Sequence, residues 1–288
     1  MRSILRSISK ALPRPSASML IPLIACGYVG VLILLPALEV VAGAFAKGLT
    51  PFLDNFKSED LRSAVLLTLR CTLIAVPANT IFGLAAATAI ARRQFPGKAL
   101  LLSVIDLPFS ISPVVVGLML VLLYSPNHGL LGGIVNSLGW KIIFSWPGMA
   151  LATIIVTFPF MAREVIPLLE EEGWEQEEAA RTLGASNWQV FWKVTLPSVR
   201  WAVVYGLILT TARALGEFGA VAVVSGNIAG QTQTLPLFVE DAYKQYNTEL
   251  AYGAALVLAG VGLVSLLLKH LVEQLLGERK SGHGEPMA

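Results

Sequence analysis

Apolar residues in this chain come in long blocks rather than in alternation. Stretches free of Asp, Glu, Lys and Arg run over residues 15–38, 71–91, 107–140, 142–162, 218–239 and 250–268. A hydrocarbon core about 30 Å thick is crossed by about 20 helical residues, so each block suits one crossing. Trimmed at proline, glycine and polar clusters, the blocks predict helices over 19–46, 63–91, 99–124, 143–165, 201–224 and 250–271. The fifth departs from its uncharged run. Residues 225–239 carry Ser225, Gly226, Asn227, Gln231, Gln233 and Pro236, a poor set for contact with lipid. Preferring 201–224 places Arg213 and Glu217 inside the bilayer. The pattern predicts an all-α integral membrane protein: six helices in one domain over 19–271, with tails at 1–18 and 272–288.

Composition agrees. Of 288 residues 55% are hydrophobic and 14% charged, against ~25% charged in soluble domains, and the mean hydropathy is +0.68. A net charge of +2 from 21 basic and 19 acidic residues is too even and too sparse for a nucleic-acid surface, so nucleic acid is excluded as a partner and membrane lipid takes its place. Cys26 and Cys71 lie in apolar runs without the spacing of a disulfide framework or a zinc site. Arg2, Arg6, Lys10 and Arg14 precede the first block, and Ala44-Phe45-Ala46 has the small residues of a cleavage site. The apolar core between them, about 25 residues, exceeds the 7–15 of a signal peptide, which reads as an uncleaved anchor.

Lys and Arg set the orientation. Fourteen fall in the N-terminal tail, the 2–3 and 4–5 loops and the C-terminal tail, five fall in the opposite loops, and Arg70 and Arg213 lie within spans. Both termini are therefore expected in the cytoplasm. The 4–5 loop, about 166–200, is the longest hydrophilic stretch and carries helix signals of its own. Glu170, Glu171, Glu172, Glu175, Glu177 and Glu178 suit the positive end of a helix dipole, Ala179, Ala180 and Leu183 continue it, and Gly184 suits its C-terminal cap. Ser186 with Gln189 forms a capping box for a second helix through Trp188, Val190, Phe191 and Trp192, stopped by Pro197. Two short helices of this kind are either a docking element on the membrane surface or an amphipathic cap on the bundle.

The same residues carry a resemblance. Glu178-Ala179-Ala180, Gly184 after three residues, and Val194-Thr195-Leu196-Pro197 after nine more resemble the EAA loop of ABC importer permeases, with Val in place of Ile at 194. The resemblance implies that Glu178, Ala179, Ala180, Gly184, Leu196 and Pro197 belong to a coupling element seated on an ATPase subunit. This chain contains no G-x-x-x-x-G-K-[ST] phosphate loop. No cofactor is expected in it; ATP and magnesium are expected on the partner.

Charges at membrane depth are the second source of chemistry. An arginine at the centre of a span costs about 2.5–3.5 kcal/mol, and Glu217, four residues after Arg213, is placed to offset it. The two either neutralise each other at a helix interface or form part of an anion path. Asp106-Leu107-Pro108 and Pro113 put two prolines into the third span, a break suited to a packing kink or to the lining of a cavity. Arg70 stands near a boundary, where an arginine can reach water. Arg213-Ala214-Leu215-Gly216-Glu217-Phe218-Gly219-Ala220 resembles a signature of oxyanion ABC permeases. Asp106-Leu107-Pro108-Phe109, Ser145-Trp146-Pro147-Gly148-Met149, Val224-Ser225-Gly226 and Tyr246-Asn247-Thr248 are similar to the W-type membrane subunits of sulfate/thiosulfate transporters.

The resemblance implies a bacterial inner-membrane subunit paired with a second sulfate permease, two ATP-binding subunits and a periplasmic sulfate/thiosulfate-binding protein. Molybdate or tungstate, tetrahedral dianions like sulfate, is the competing substrate. An intramembrane enzyme is the remote alternative: His128, His270 and His283 lie in loops or at ends, and no nucleophile elbow or paired metal ligands occur.

Overall fold

The computed structural model describes residues 17–281, and every regular element among them is helical. α1 (Ala17–Ala44) and the short α2 (Leu49–Asn55) lead into α3 (Glu59–Arg92). α4 (Lys98–Ser110) and α5 (Pro113–Tyr124) follow, then α6 (Gly132–Ser137) and α7 (Trp146–Glu171). The loop helices are α8 (Glu175–Thr182) and α9 (Asn187–Ser198), the latter with a π-helical turn at Phe191–Thr195. α10 (Arg200–Leu215), α11 (Gly219–Ser225), α12 (Leu235–Lys244) and α13 (Thr248–Ser281) complete the chain.

Three helices, α1, α3 and α7, are each long and apolar enough to cross a membrane unaided. Local signals explain their ends. Ser58 caps α3 by accepting from the Leu61 amide, Glu59 and Asp60 occupy its first turn, and Arg92 occupies its last, each matched to the dipole. Gly173, at φ +65°, ends α7 in a conformation that suits glycine.

α7 is the axis of the bundle. Its Met149 and Ala150 pack with Leu67 and Cys71 of α3, its Ala152 and Val156 with Val116 and Leu120 of α5 and Ala220 and Val224 of α11, and its Met161, Val165 and Leu169 with Leu84 and Ala87 of α3. In the most apolar window of α7 61% of the residues are buried, whereas in that of α1 none is fully buried. Lipid gives helices no hydrophobic reason to associate, so small residues and hydrogen bonds hold them together. Both occur here. Asn79 of α3 donates to Thr157 Oγ1 (2.7 Å) and to the Ile154 carbonyl (3.2 Å) of α7. Met161 sits between Gly83 of α3 and Gly206 of α10, where a Cβ on Gly83 would lie 2.8 Å from Met161 Cβ. Gly83→Val is therefore expected to cost about 1–3 kcal/mol through overpacking, read as a lower melting temperature of the detergent-purified protein. Gly133→Ala, where a Cβ meets nothing within 4 Å, is expected to leave it unchanged.

The structure corrects several expected boundaries. The third span, expected over 99–124 with a break at its prolines, is the α4 and α5 pair bent by 111°. Ile111 and Ser112 are extended there, and Pro113 is the first residue of α5 rather than an interior kink, the position where its missing N–H costs nothing. The fifth, expected over 201–224, breaks at 216–218 into α10 and α11. α7 runs six residues past its expected end at 165, because Leu169 is buried in its contact with α3. Glu170 and Glu171 thus finish α7 instead of opening the loop helix, and the 4–5 loop begins at Glu172. α13 extends to Ser281, past the expected 271, its apolar part being Thr248–Val264. The segment rejected as a lipid-facing helix folds as expected: Thr232, Gln233 and Thr234 are buried before α12, and the Leu235 amide donates to Thr68 Oγ1 of α3 at 2.8 Å. Arg2, Arg6, Lys10 and Arg14 lie outside the described residues.

Candidate translocation path and docking loop

The two broken spans meet at their breaks. A Cβ on Gly219, the first residue of α11, would lie 3.0 Å from Pro113 Cβ, and one on Gly117 of α5 would lie 2.7 Å from the Ala220 carbonyl oxygen. Glycine at both positions lets α5 and α11 approach backbone to backbone. Helix starts packed this closely need partners for their free amides. Glu217 supplies one, its Oε1 accepting from the Ala220 amide at 3.0 Å.

Arg213 therefore does not sit mid-helix as expected. It occupies the last turn of α10, where a cation suits the dipole, and reaches across the break to Glu217 with Nη1 2.8 Å from Oε2. This contact is an ion pair by distance without the alignment of a hydrogen bond. The two partners differ in burial: the Glu217 side chain is 1% exposed, the Arg213 side chain 33%. One carboxylate oxygen is committed to the backbone, and among the described residues Glu217 engages only one nitrogen, Nη1, of a guanidinium with five N–H donors.

Asp106 does not join that pair. It bonds Arg163 of α7 (Nε to Oδ1, 2.8 Å), and the Arg163 guanidinium also lies 4.8 Å from the Phe109 ring centre. Arg163, counted with the cytoplasmic loop charges for orientation although it falls inside the expected helix 143–165, lies within α7. At the start of α4, Lys98 pairs with Glu170 at 3.4 Å. Asp106 lies eight residues further along, about 12 Å at the helical rise. Both side chains are about half exposed, 40% and 55%, and an ion pair at that depth belongs against protein or a water-filled cavity rather than lipid. Pro108 lies in the last turn of α4 beside this pair. Arg70 is exposed and stacks on the Trp146 ring at 3.9 Å.

The loop has the predicted double-helix form. Gly184 ends α8 with φ +89°, its amide and that of Ala185 donating to the carbonyls of Arg181 and Ala180. Ser186 and Gln189 make the reciprocal capping box at the start of α9. Glu178, Ala179, Leu183 and Gly184 are exposed, Leu183 by 89%. Leu196 and Pro197 stand at the end of α9, where Pro197 is one residue before the 72° bend into α10. A cavity of about 880 Å³ lies between α3, α9 and α10, with Trp188, Trp192, Arg93 and Arg181 among its lining residues.

Sequence reasoning missed two residues. Arg163, inside the expected helix 143–165, counted only as a charge for orientation, and its bond to Asp106, 57 residues away, has no local signal. Glu177, beside the motif glutamate, is 4% exposed and accepts from Arg92 and Thr195. The signal for it is only the acidic run itself.

Residues 79–279 match the family of binding-protein-dependent transport system inner membrane components. The chain is 62% identical to the sulfate transport system permease protein CysW of Synechococcus elongatus over 92% of its length and 93% of the relative's. It is 35% identical to the sulfate transport system permease protein CysT of Escherichia coli, over 89% and 92%. In fold it is similar to a chain of a bacterial ABC transporter that imports the polysaccharide alginate, with a TM-score of 0.74 at 19% identity over 89% and 94% of the two chains. With its apolar helices, broken spans and exposed loop helices, the chain belongs to the inner membrane components of binding-protein-dependent transport systems, the non-enzymatic permease subunits of ABC transporters.

Proposed function

We propose that this chain is the W-type membrane subunit of an ATP-driven importer of sulfate and thiosulfate. The observation that carries the reading is its near full-length likeness to sulfate permeases of two types, much stronger to one type than to the other. That asymmetry favours a heterodimer in the bacterial inner membrane, with a CysT-like chain as the second permease. Two ATP-binding subunits hold ATP and magnesium on the cytoplasmic side, and a sulfate/thiosulfate-binding protein delivers the anion from outside. Both termini are cytoplasmic, so the tails 1–18 and 272–288 face the ATPase side.

Within this assembly the exposed edge of the loop, with Glu178, Ala179, Ala180 and Gly184, rests on an ATPase subunit. Leu196 and Pro197 join the docked helices to α10. Closure of the ATPase dimer displaces the loop, and the bent pairs re-orient about their breaks. Arg213 and Glu217, Asp106 with its partner Arg163, and Pro108 and Pro113 on either side of the α4–α5 break line the path. A tetrahedral dianion needs directed N–H donors in a place from which lipid is excluded, and Arg213 offers them because Glu217 holds it without covering it.

Cells lacking this chain are expected to lose uptake of labelled sulfate and to regain it when the chain is restored. Unchanged uptake, in cells without a second sulfate system, contradicts the proposal.

A further inference from the structure

Glu177 is the sole residue of α8 that is buried. The placement of α8 against the spans is therefore set by one carboxylate rather than by apolar packing. Side chains from three elements converge on it: Arg92 Nε from the end of α3 and Thr195 Oγ1 from α9, both 2.9 Å from Oε1, and Arg181 of α8 itself, 3.4 Å from Oε2. Arg92 also donates through Nη1 to the Leu169 carbonyl near the end of α7, at 2.6 Å. The Arg92 and Glu177 side chains are only 11% and 5% exposed. One buried cluster thus ties the ends of α3 and α7 to both loop helices.

Apolar surfaces slide over one another, whereas short charge-assisted hydrogen bonds are directional and resist both push and pull. We propose that Glu177 is a positioning residue, the joint through which a displacement of the loop helices is passed to α3 and α7. This rests on the reading of the loop as the ATPase docking element. Docking is assigned to the exposed edge of α8 at Glu178 to Gly184, and transmission to the buried opposite side.

The test uses the complete transporter, reconstituted in liposomes with its ATPase subunits and binding protein, and measures sulfate transported per ATP hydrolysed. Glu177→Gln removes the charge that holds both arginines. The expected result is unchanged recovery of the ATPase subunits, continued ATP hydrolysis, and a fall of about tenfold in sulfate moved per ATP. Thr195→Val removes one donor and leaves the ion pairs, and is expected to give a smaller fall in the same ratio. It also keeps the idea testable if the Glu177→Gln chain does not fold. An unchanged ratio in Thr195→Val, or in an assembled Glu177→Gln transporter, overturns the proposal. So does loss of the ATPase subunits from the Glu177→Gln complex, which assigns Glu177 to docking. Failure of the docking reading shows separately, as normal ATPase recovery with a Gly184→Asp chain.

Discussion

Arg213→Ala is expected to abolish sulfate uptake in a transporter that still assembles. The guanidinium crosses the break between α10 and α11 and is one-third exposed, while the carboxylate that holds it is 1% exposed. Glu217 keeps its bond to the Ala220 amide without Arg213, so the start of α11 remains capped. The lost arginine does leave a buried carboxylate without its counter-ion, a defect of about 3–5 kcal/mol for a fully buried pair and less here because Arg213 is part exposed. Arg213→Ala/Glu217→Ala removes that defect along with the donors. If Arg213 serves the anion, the double variant also fails to transport, at matched amounts of assembled complex. If the double variant transports normally, the pair only holds the break together. Arg213→Lys keeps the charge but loses the planar fork, and is expected to retain part of the uptake.

Gly184→Asp is expected to separate the ATPase subunits from the permease while membrane insertion stays intact. Gly184 has φ +89°, and a Cβ there meets nothing within 4 Å, so the substitution causes no clash. Its backbone cost is below the roughly 1–2 kcal/mol of an ordinary L-residue in the left-handed region, which Asp visits as Asn does. A second contribution comes from a carboxylate placed at the exposed tip, next to Leu183, which is 89% exposed. Both fall on the surface assigned to docking. Gly184→Asn tolerates the left-handed region without adding charge and is expected to keep much of the ATPase. The measurement is recovery of the ATPase subunits with a tagged permease, and normal recovery with Gly184→Asp removes the docking role from this turn.

The long helices were legible because lipid demands what a hydropathy pattern records. α1, α3 and α7 are each found within a few residues at their starts. The two prolines of the third span announce its break, though Pro113 reads equally as an interior kink or a first residue; the break at 216–218 was hidden, because no proline marks it. The end of α7 was missed for the opposite reason. Glu170 and Glu171 are charged and looked like loop, yet the helix carries them because other faces of α7 are buried. Glu177 and Glu178 are neighbours of one type, about 100° apart around a helix. Which of them turns inward depends on Arg92, 85 residues away, and no local signal contains that. The capping box at Ser186 and the turn at Gly184 were legible because their hydrogen bonds close within a few residues.

The most direct test of the whole account is uptake of labelled sulfate by cells in which this chain is the missing component, with unlabelled thiosulfate or molybdate as competitor. The account predicts that restoring the chain restores uptake, that thiosulfate suppresses it and that molybdate does not. Uptake suppressed by molybdate and untouched by thiosulfate contradicts the assignment and leaves the permease architecture serving another oxyanion.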